Sequence, residues 1–234
     1  MNSGRRVLIS GASRGLGRAL AEHYLAAGDA VIGCARSATE LVHPSYAHFE
    51  LDVSDEHAVQ HLAACVRERW RGLDVVINNA GIAVMNPIAL MPLDAAKRVF
   101  DTNFTGTFLL TRAAIRLLRS SSAGRIVNVT TIAVPMRLEG EAVYAASKSA
   151  VETFTRITAR EVAPFGITCN AVGPCPVRTR LTESVPREKI EALIARQAVR
   201  RWAEPADVAN VVDFFLRPES GMITGQVVYL GGAG

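Results

Sequence analysis

The sequence predicts an α/β, doubly wound fold, a seven-stranded and mostly parallel sheet with helices on both faces. Three observations carry that expectation. Apolar runs of strand length alternate with helical periodicity along the whole chain, the pattern of strands buried on both faces and joined by right-handed crossovers. The first run, Val7-Leu8-Ile9-Ser10, passes through Gly11, Gly15 and Gly17 into a helical stretch. Finally, 234 residues that are 49% hydrophobic and 21% charged suit one substantial core, so residues 1–234 are expected to form a single domain.

Taken in order, the run Val7 to Ser10 is a strand and Leu16 onward a helix. Ala30 to Cys34 is a second apolar strand and Ala47 to Val53 a third. His57 to Trp70 is amphipathic, with Ser54-Asp55 placed to cap it. Asp74 to Asn78 is the fourth strand, followed by a helical stretch from Leu93 to Leu118. Strand Arg125 to Thr130, helix Tyr144 to Ala163 and strand Ile167 to Val172 come next. A polar, mobile-looking segment then runs to Pro205, before a helix from Ala206 to Leu216 and a last strand from Gln226 to Leu230. No repeat or low-complexity tract interrupts the series.

Composition removes several classes of function. No apolar run approaches the roughly 18 to 20 residues of a membrane span, and the start of the chain lacks the apolar core of a signal peptide. Cys34, Cys65, Cys169 and Cys175 show no paired spacing, so reduced thiols are expected. The net charge of +4 is modest and no basic run is interleaved with aromatics, which argues against nucleic acid. A cytoplasmic protein with no membrane contact is the expectation.

The stretch Gly11-Ala12-Ser13-Arg14-Gly15-Leu16-Gly17 has the character of a phosphate cradle. Its glycines permit a sharp turn, expose backbone N–H groups and let the helix approach the sheet, while the helix N-terminus favours an anion. A dinucleotide pyrophosphate fits that description; a plain strand-to-helix turn is the bland alternative. The second strand ends in Cys34-Ala35-Arg36, with no carboxylate for ribose hydroxyls. Arg36 and Arg14 converging on a 2'-phosphate favour NADPH over NADH. Asp52, with Val53 beside it at the end of the third strand, is a candidate for the adenine ring.

Tyr144 and Lys148 stand four residues apart and so share a helix face. A phenol titrates near pH 10, and a neighbouring ammonium is expected to lower it toward the range of efficient proton transfer. Such a pair alone is often only a surface pair. Together with Gly11, Gly15 and Gly17, Asn78-Asn79-Ala80-Gly81, Asn103, Gly173-Pro174 and Ile223-Thr224-Gly225-Gln226, it makes the chain resemble the short-chain dehydrogenase/reductase family over essentially its full length. That resemblance implies a Rossmann-type domain with Tyr144 as the acid that protonates a carbonyl oxygen. It also implies that Lys148 holds the nicotinamide ribose, Asn103 anchors a water linked to Lys148, and Asn79, Ala80 and Gly81 line the cofactor. Pro174 begins a substrate lid over about 174–204, within which Val177 and Thr179 would meet the carboxamide. A dimer or tetramer, built from Leu93 to Leu118, Tyr144 to Ala163 and the C-terminal strand with its preceding helix, is implied as well.

Two positions depart from the family's pattern. Thr131 stands where the family places a substrate-orienting serine, thirteen residues before the tyrosine; it keeps the hydroxyl but adds a methyl and a stiffer χ1. Cys175 replaces the usual glycine after the proline. Thr131 is assigned the serine's role, and its neighbour Thr130 is expected to point to the opposite face. His57 and His61 have a metal-ligand spacing but no third ligand, so no metal is expected. Glu139 and Glu141 precede Tyr144 in a loop expected to flank the substrate, although paired acids on a loop are more often simply exposed. Between Arg178 and Arg201 seven basic residues face three acids, an excess of +4 that leaves an anionic or carrier-linked substrate conceivable.

The nearest group is the 3-oxoacyl carrier-protein reductases, but the basic carrier-docking positions of that group correspond here to Ser122 and Phe165, with Arg119 and Arg125 nearby. The expected function is NADPH-dependent reduction of a ketone or aldehyde, 3-oxoacyl compounds among the options. A catalytically weak, cofactor-binding regulator or scaffold is the alternative, with Thr131 the only residue speaking for it.

Overall fold

A computed structural model of the protein describes residues 4–179, 182 and 185–232. All seven strands lie in one sheet, β1 (Arg6–Ser10), β2 (Ala30–Ala35), β3 (Tyr46–Glu50), β4 (Val75–Asn78), β5 (Arg125–Val129), β6 (Thr168–Gly173) and β7 (Val227–Tyr229). The order is β3-β2-β1-β4-β5-β6-β7 and every pairing is parallel, so the sheet is wholly rather than mostly parallel. The reversal of winding between β1 and β4 leaves a crevice at the carboxyl ends of the central strands.

Alternation along β1 feeds two cores. Val7 and Ile9 pack on one face with Leu20, Tyr24, Val212 and Phe215, while Leu8 packs on the other with Leu62, Val66, Leu110 and Ile126. The first layer is made by α1 (Gly15–Ala26) and α8 (Pro205–Leu216), and the second by α2 (Glu56–Trp70), α4 (Gly106–Leu118) and α6 (Ala142–Val162). The strands are apolar on both sides because both sides are covered. Asp55 caps α2 as expected, accepting from the N–H groups of His57 and Ala58.

Several local expectations are revised. The stretch from Leu93 to Leu118 is α3 (Leu93–Phe100), a π turn at Asp101–Thr105, and α4. The extra residue in that turn shifts the helical phase and turns Asn103 fully inward, where it is buried. The third strand stops at Glu50, and Asp52 instead folds a turn by accepting from the N–H and hydroxyl of Ser54. The fifth strand stops at Val129, and a short helical turn, α5 (Ala133–Met136), follows the Thr130-Thr131 pair. The segment expected to be irregular up to Pro205 contains α7 (Arg187–Ala195), held by Ile190 in the core and an Arg187–Glu191 ion pair of 2.6 Å. The last strand contracts to Val227–Tyr229.

Candidate active site

A cleft of about 590 Å³ opens at the carboxyl ends of the strands. Every residue assigned from sequence to the cofactor or to catalysis lines it, except Asn103. Strand order sets their arrangement. The ends of β2 and β3 put Arg36, Asp52 and Val53 on one side, β1 and β4 put the glycine loop and Asn79, Ala80 and Gly81 at the centre, and β5 and β6 put Thr131 and Pro174 on the other.

The glycine loop has the shape a pyrophosphate requires. Gly11 and Gly15 have φ of 69° and 57°, a region that disfavours side chains. A Cβ on Gly17 would be driven into the Gly11 carbonyl and the Asn79 amide, so only glycine lets α1 come this close. The first turn of α1 has neither a side-chain cap nor an acid, and its residues Gly15, Leu16 and Gly17 line the cleft. The loop is braced from β4. Ser10 Oγ accepts from the N–H groups of Asn79 and Ala80, both at 3.0 Å, and Asn79 Nδ2 donates to the Ser10 carbonyl at 2.9 Å. Arg14 and Arg36 are exposed at the rim, and Ser13 and Ser37 share a hydrogen bond of 3.1 Å there. These features fit the pyrophosphate of a dinucleotide.

At the other side, α6 carries Tyr144 and Lys148 along one face, both buried and both lining the cleft. Thr131 lines the cleft with Tyr144, near enough to bear on the phenol, and its Oγ1 accepts from the Ala133 N–H at 3.2 Å. Thr130 is directed elsewhere, its hydroxyl donating at 2.8 Å to buried Glu152, which also accepts from Tyr229 at 2.6 Å. The only sequence signal for that Thr130–Glu152–Tyr229 chain is a glutamate four residues after Lys148, on the buried face of α6.

The expected lowering of the Tyr144 pKa by Lys148 is not what the structure shows. Burial pushes the phenol up to about 12, the Thr131 side chain nearby works against that rise, and the charge of Glu141 adds to it. Burial also draws the Lys148 ammonium down to about 8, and its Nζ donates to the Val129 carbonyl at 2.8 Å. Desolvation penalises whichever form is charged, so it moves the acid and the base in opposite directions. Asn103 sits behind the cleft wall. Its Nδ2 donates to the Ile82 carbonyl and to Ser147 Oγ, both at 2.9 Å, and its Oδ1 accepts from the Ile82 N–H at 2.8 Å. Ser147 in turn donates to the Tyr144 carbonyl at 2.7 Å, linking Asn103 to the tyrosine's helix.

Val177 and Thr179 arrive over the glycine loop from the segment after β6, with Thr179 nearest Gly15. Cys175 lines the cleft but is buried, and burial raises its thiol pKa, so it is chiefly a neutral thiol filling space. Glu141 lines the cleft while Glu139 is exposed. Among the described residues no set of three metal-ligating side chains converges, and His61 faces Cys65 on α2. No helix is long and apolar enough to cross a membrane. Of the basic residues between 178 and 201, Arg187 and Arg201 are paired with Glu191 and Asp207, and Arg178 lies over the Trp202 ring; Arg180 and Glu183 lie outside the described residues.

Comparison with known proteins agrees with this geometry. The family described as enoyl-(acyl carrier protein) reductase matches residues 11–232. The 3-oxoacyl-[acyl-carrier-protein] reductase of Vibrio cholerae is 32% identical over 235 residues, covering 98% of this chain and 96% of its own. The protein of the same name from Synechocystis is 34% identical over 236 residues, covering 96% and 94%. Among solved structures, ligand-free aldohexose dehydrogenase from Thermoplasma acidophilum superposes with a TM-score of 0.89 at 28% identity, covering 98% of this chain and 94% of that one. With the glycine loop, the Asn79–Gly81 wall and the Tyr144–Lys148 helix face assembled around one cleft, this chain belongs to the short-chain dehydrogenase/reductase family of oxidoreductases.

Proposed function

We propose that the protein is an NADPH-dependent reductase that converts a ketone or aldehyde to an alcohol. The observation that carries this reading is a single cleft with a glycine phosphate cradle at its centre and a Tyr144–Thr131 hydroxyl pair on one side. Bound in the cleft, a dihydronicotinamide supplies the hydride that reduces the carbonyl carbon. Thr131 orients the carbonyl oxygen, and Tyr144 donates its proton to that oxygen as negative charge develops there. A phenol that resists ionisation is suited to acting as the acid in this direction. Lys148 holds the ribose of the cofactor, and Asn103, by fixing Ile82 and Ser147, keeps the cleft wall and the α6 helix in register. Arg14 and Arg36 hold the 2'-phosphate and Asp52 with Val53 borders the adenine. The lid comprises about 174–204 of one catalytic domain.

The relatives' names make 3-oxoacyl thioesters one substrate class to test. Against carrier docking, Arg125 is buried and donates to the Gly124 carbonyl, while Arg119 lies 4.2 Å from the Phe165 ring centroid. Exposed Leu93, Phe100 and Ile157 on α3 and α6 support a homo-oligomer, a dimer or tetramer.

The test is NADPH consumption, followed by absorbance, with β-keto esters, diketones, quinones and hydroxy ketones, beside Kd for NADPH and NADH. Turnover that requires Tyr144, with Kd for NADPH rising roughly tenfold in Arg14→Ala or Arg36→Ala, is expected. Tight NADPH binding with no turnover in either direction would instead support the regulator reading.

A further inference from the structure

Among the described residues, Glu141 is the one carboxylate lining the cleft on the side of Tyr144. It occupies the residue before α6, three positions ahead of Tyr144 and hence over the same helix face. Its side chain caps nothing there, and among the described residues it accepts no hydrogen bond. Apolar side chains, Ile132, Leu138, Val185, Ile190 and Leu193, line the same cleft alongside the hydroxyls of Thr131 and Tyr144. Burial raises the Glu141 pKa, and Lys189 of the lid is close enough to oppose that rise. A half-buried acceptor in an apolar pocket is costly when it meets only alkyl groups, because the water it loses is not replaced. The nearby ammonium of Lys189 matters for the sign of the ligand. It offsets the carboxylate's charge, so the pocket gains little by taking a cation, while an anionic group set directly against Glu141 meets a like charge.

We propose that Glu141 is a specificity-determining residue that accepts a hydrogen bond from a hydroxyl on the substrate, selecting neutral hydroxy ketones or hydroxy aldehydes over plain alkyl carbonyl compounds and over keto acids. This rests on the reductase reading given above. Glu141 is close enough to Tyr144 for its charge to bear on the phenol. With the carbonyl oxygen at the Tyr144 hydroxyl, the recognised hydroxyl is sought on the first, second or third carbon from the carbonyl. The remaining carbon chain lies against Ile132, Leu138 and Leu193. Glu141 thus acts on which substrate is held; Tyr144 acts on the proton.

The experiment compares kcat/KM for hydroxyacetone against butanone, and for its β- and γ-hydroxy homologues against the ketones in which methyl replaces hydroxyl. It uses the native protein, Glu141→Gln and Glu141→Leu, with NADPH. The native enzyme is expected to prefer at least one hydroxy ketone by about tenfold or more, mainly through KM. Glu141→Leu should abolish or invert that preference while raising kcat/KM for the alkyl partner, and Glu141→Gln, which keeps one acceptor oxygen, should retain part of it. An equal hydroxy-to-alkyl ratio in native protein and Glu141→Leu, with turnover intact, overturns this inference and leaves the reductase reading standing. NADPH binding without turnover of any carbonyl overturns both.

Discussion

Two glycines of the phosphate loop differ in why they are glycine, and substituting each by alanine separates the reasons. At Gly17 the backbone is helical, but a Cβ would sit on the Gly11 carbonyl, 2.8 Å from its carbon, and against Asn79 Nδ2. Neither neighbour can yield freely, because Asn79 is tied to the Ser10 carbonyl and Gly11 N donates to the Cys34 carbonyl at 2.7 Å. Overpacking of this kind costs about 1–3 kcal/mol, and losing the Asn79 hydrogen bond adds about 1 kcal/mol. Gly17→Ala is therefore expected to lower unfolding stability by about 2–4 kcal/mol. At Gly15 the obstacle is φ of 57°, since the nearest atoms to a new Cβ are those of Thr179 at 3.5 Å; that costs about 1–2 kcal/mol. Urea unfolding of both variants, with Kd for NADPH measured beside it, reads the difference. Gly17→Ala should be the less stable and should also weaken NADPH at least tenfold, because the displaced Gly11 carbonyl pushes the loop out of register. A Gly15→Ala variant that is the less stable of the two, or a Gly17→Ala variant with native stability and affinity, would refute the packing argument.

Three further outcomes are expected. Thr131→Ser should keep most of kcat, whereas Thr131→Ala should lose it by about a hundredfold, as for removal of one donor to a developing oxyanion; an alanine variant at native rate removes Thr131 from the mechanism. Lys148, drawn down to about 8 by burial, carries its charge below that pH and loses it above, so Kd for NADPH should rise as pH climbs through about 8. Lys148→Arg should flatten that profile, since a guanidinium stays charged, and an identical inflection in the variant would assign the titration to another group. Glu152→Leu strands the hydroxyls of Thr130 and Tyr229 and should cost about 2–4 kcal/mol in urea unfolding, an effect within about 0.5 kcal/mol showing that the buried carboxylate contributes nothing net.

Asn103 and Glu141 mark where sequence patterns lose their grip. Asn103 was identifiable only by resemblance, because a π turn leaves no periodic signature and its effect, turning one amide inward, depends on a local phase shift of the helix. Glu141 looked like half of an exposed acidic pair with Glu139, until the loop before α6 placed one beside the cleft and the other in solvent. The Tyr144–Lys148 spacing correctly put both groups on one face, yet the direction of the tyrosine's shift was misjudged, because spacing reports neighbours and not how much water is lost around them.

By itself the sequence determined the alternation of strands and helices, the parallel sheet, the phosphate loop and the helix face bearing Tyr144 and Lys148, since each follows from periods of two or 3.6 residues and from glycines that only certain turns require. Only the tertiary structure decided that Lys189 of the lid would come near Glu141, that Glu152 would join Thr130 to Tyr229 across the sheet, and that Tyr144 would be held protonated. Those are relations between residues far apart in the chain and depend on desolvation, which is a property of the packed whole and has no counterpart in local order.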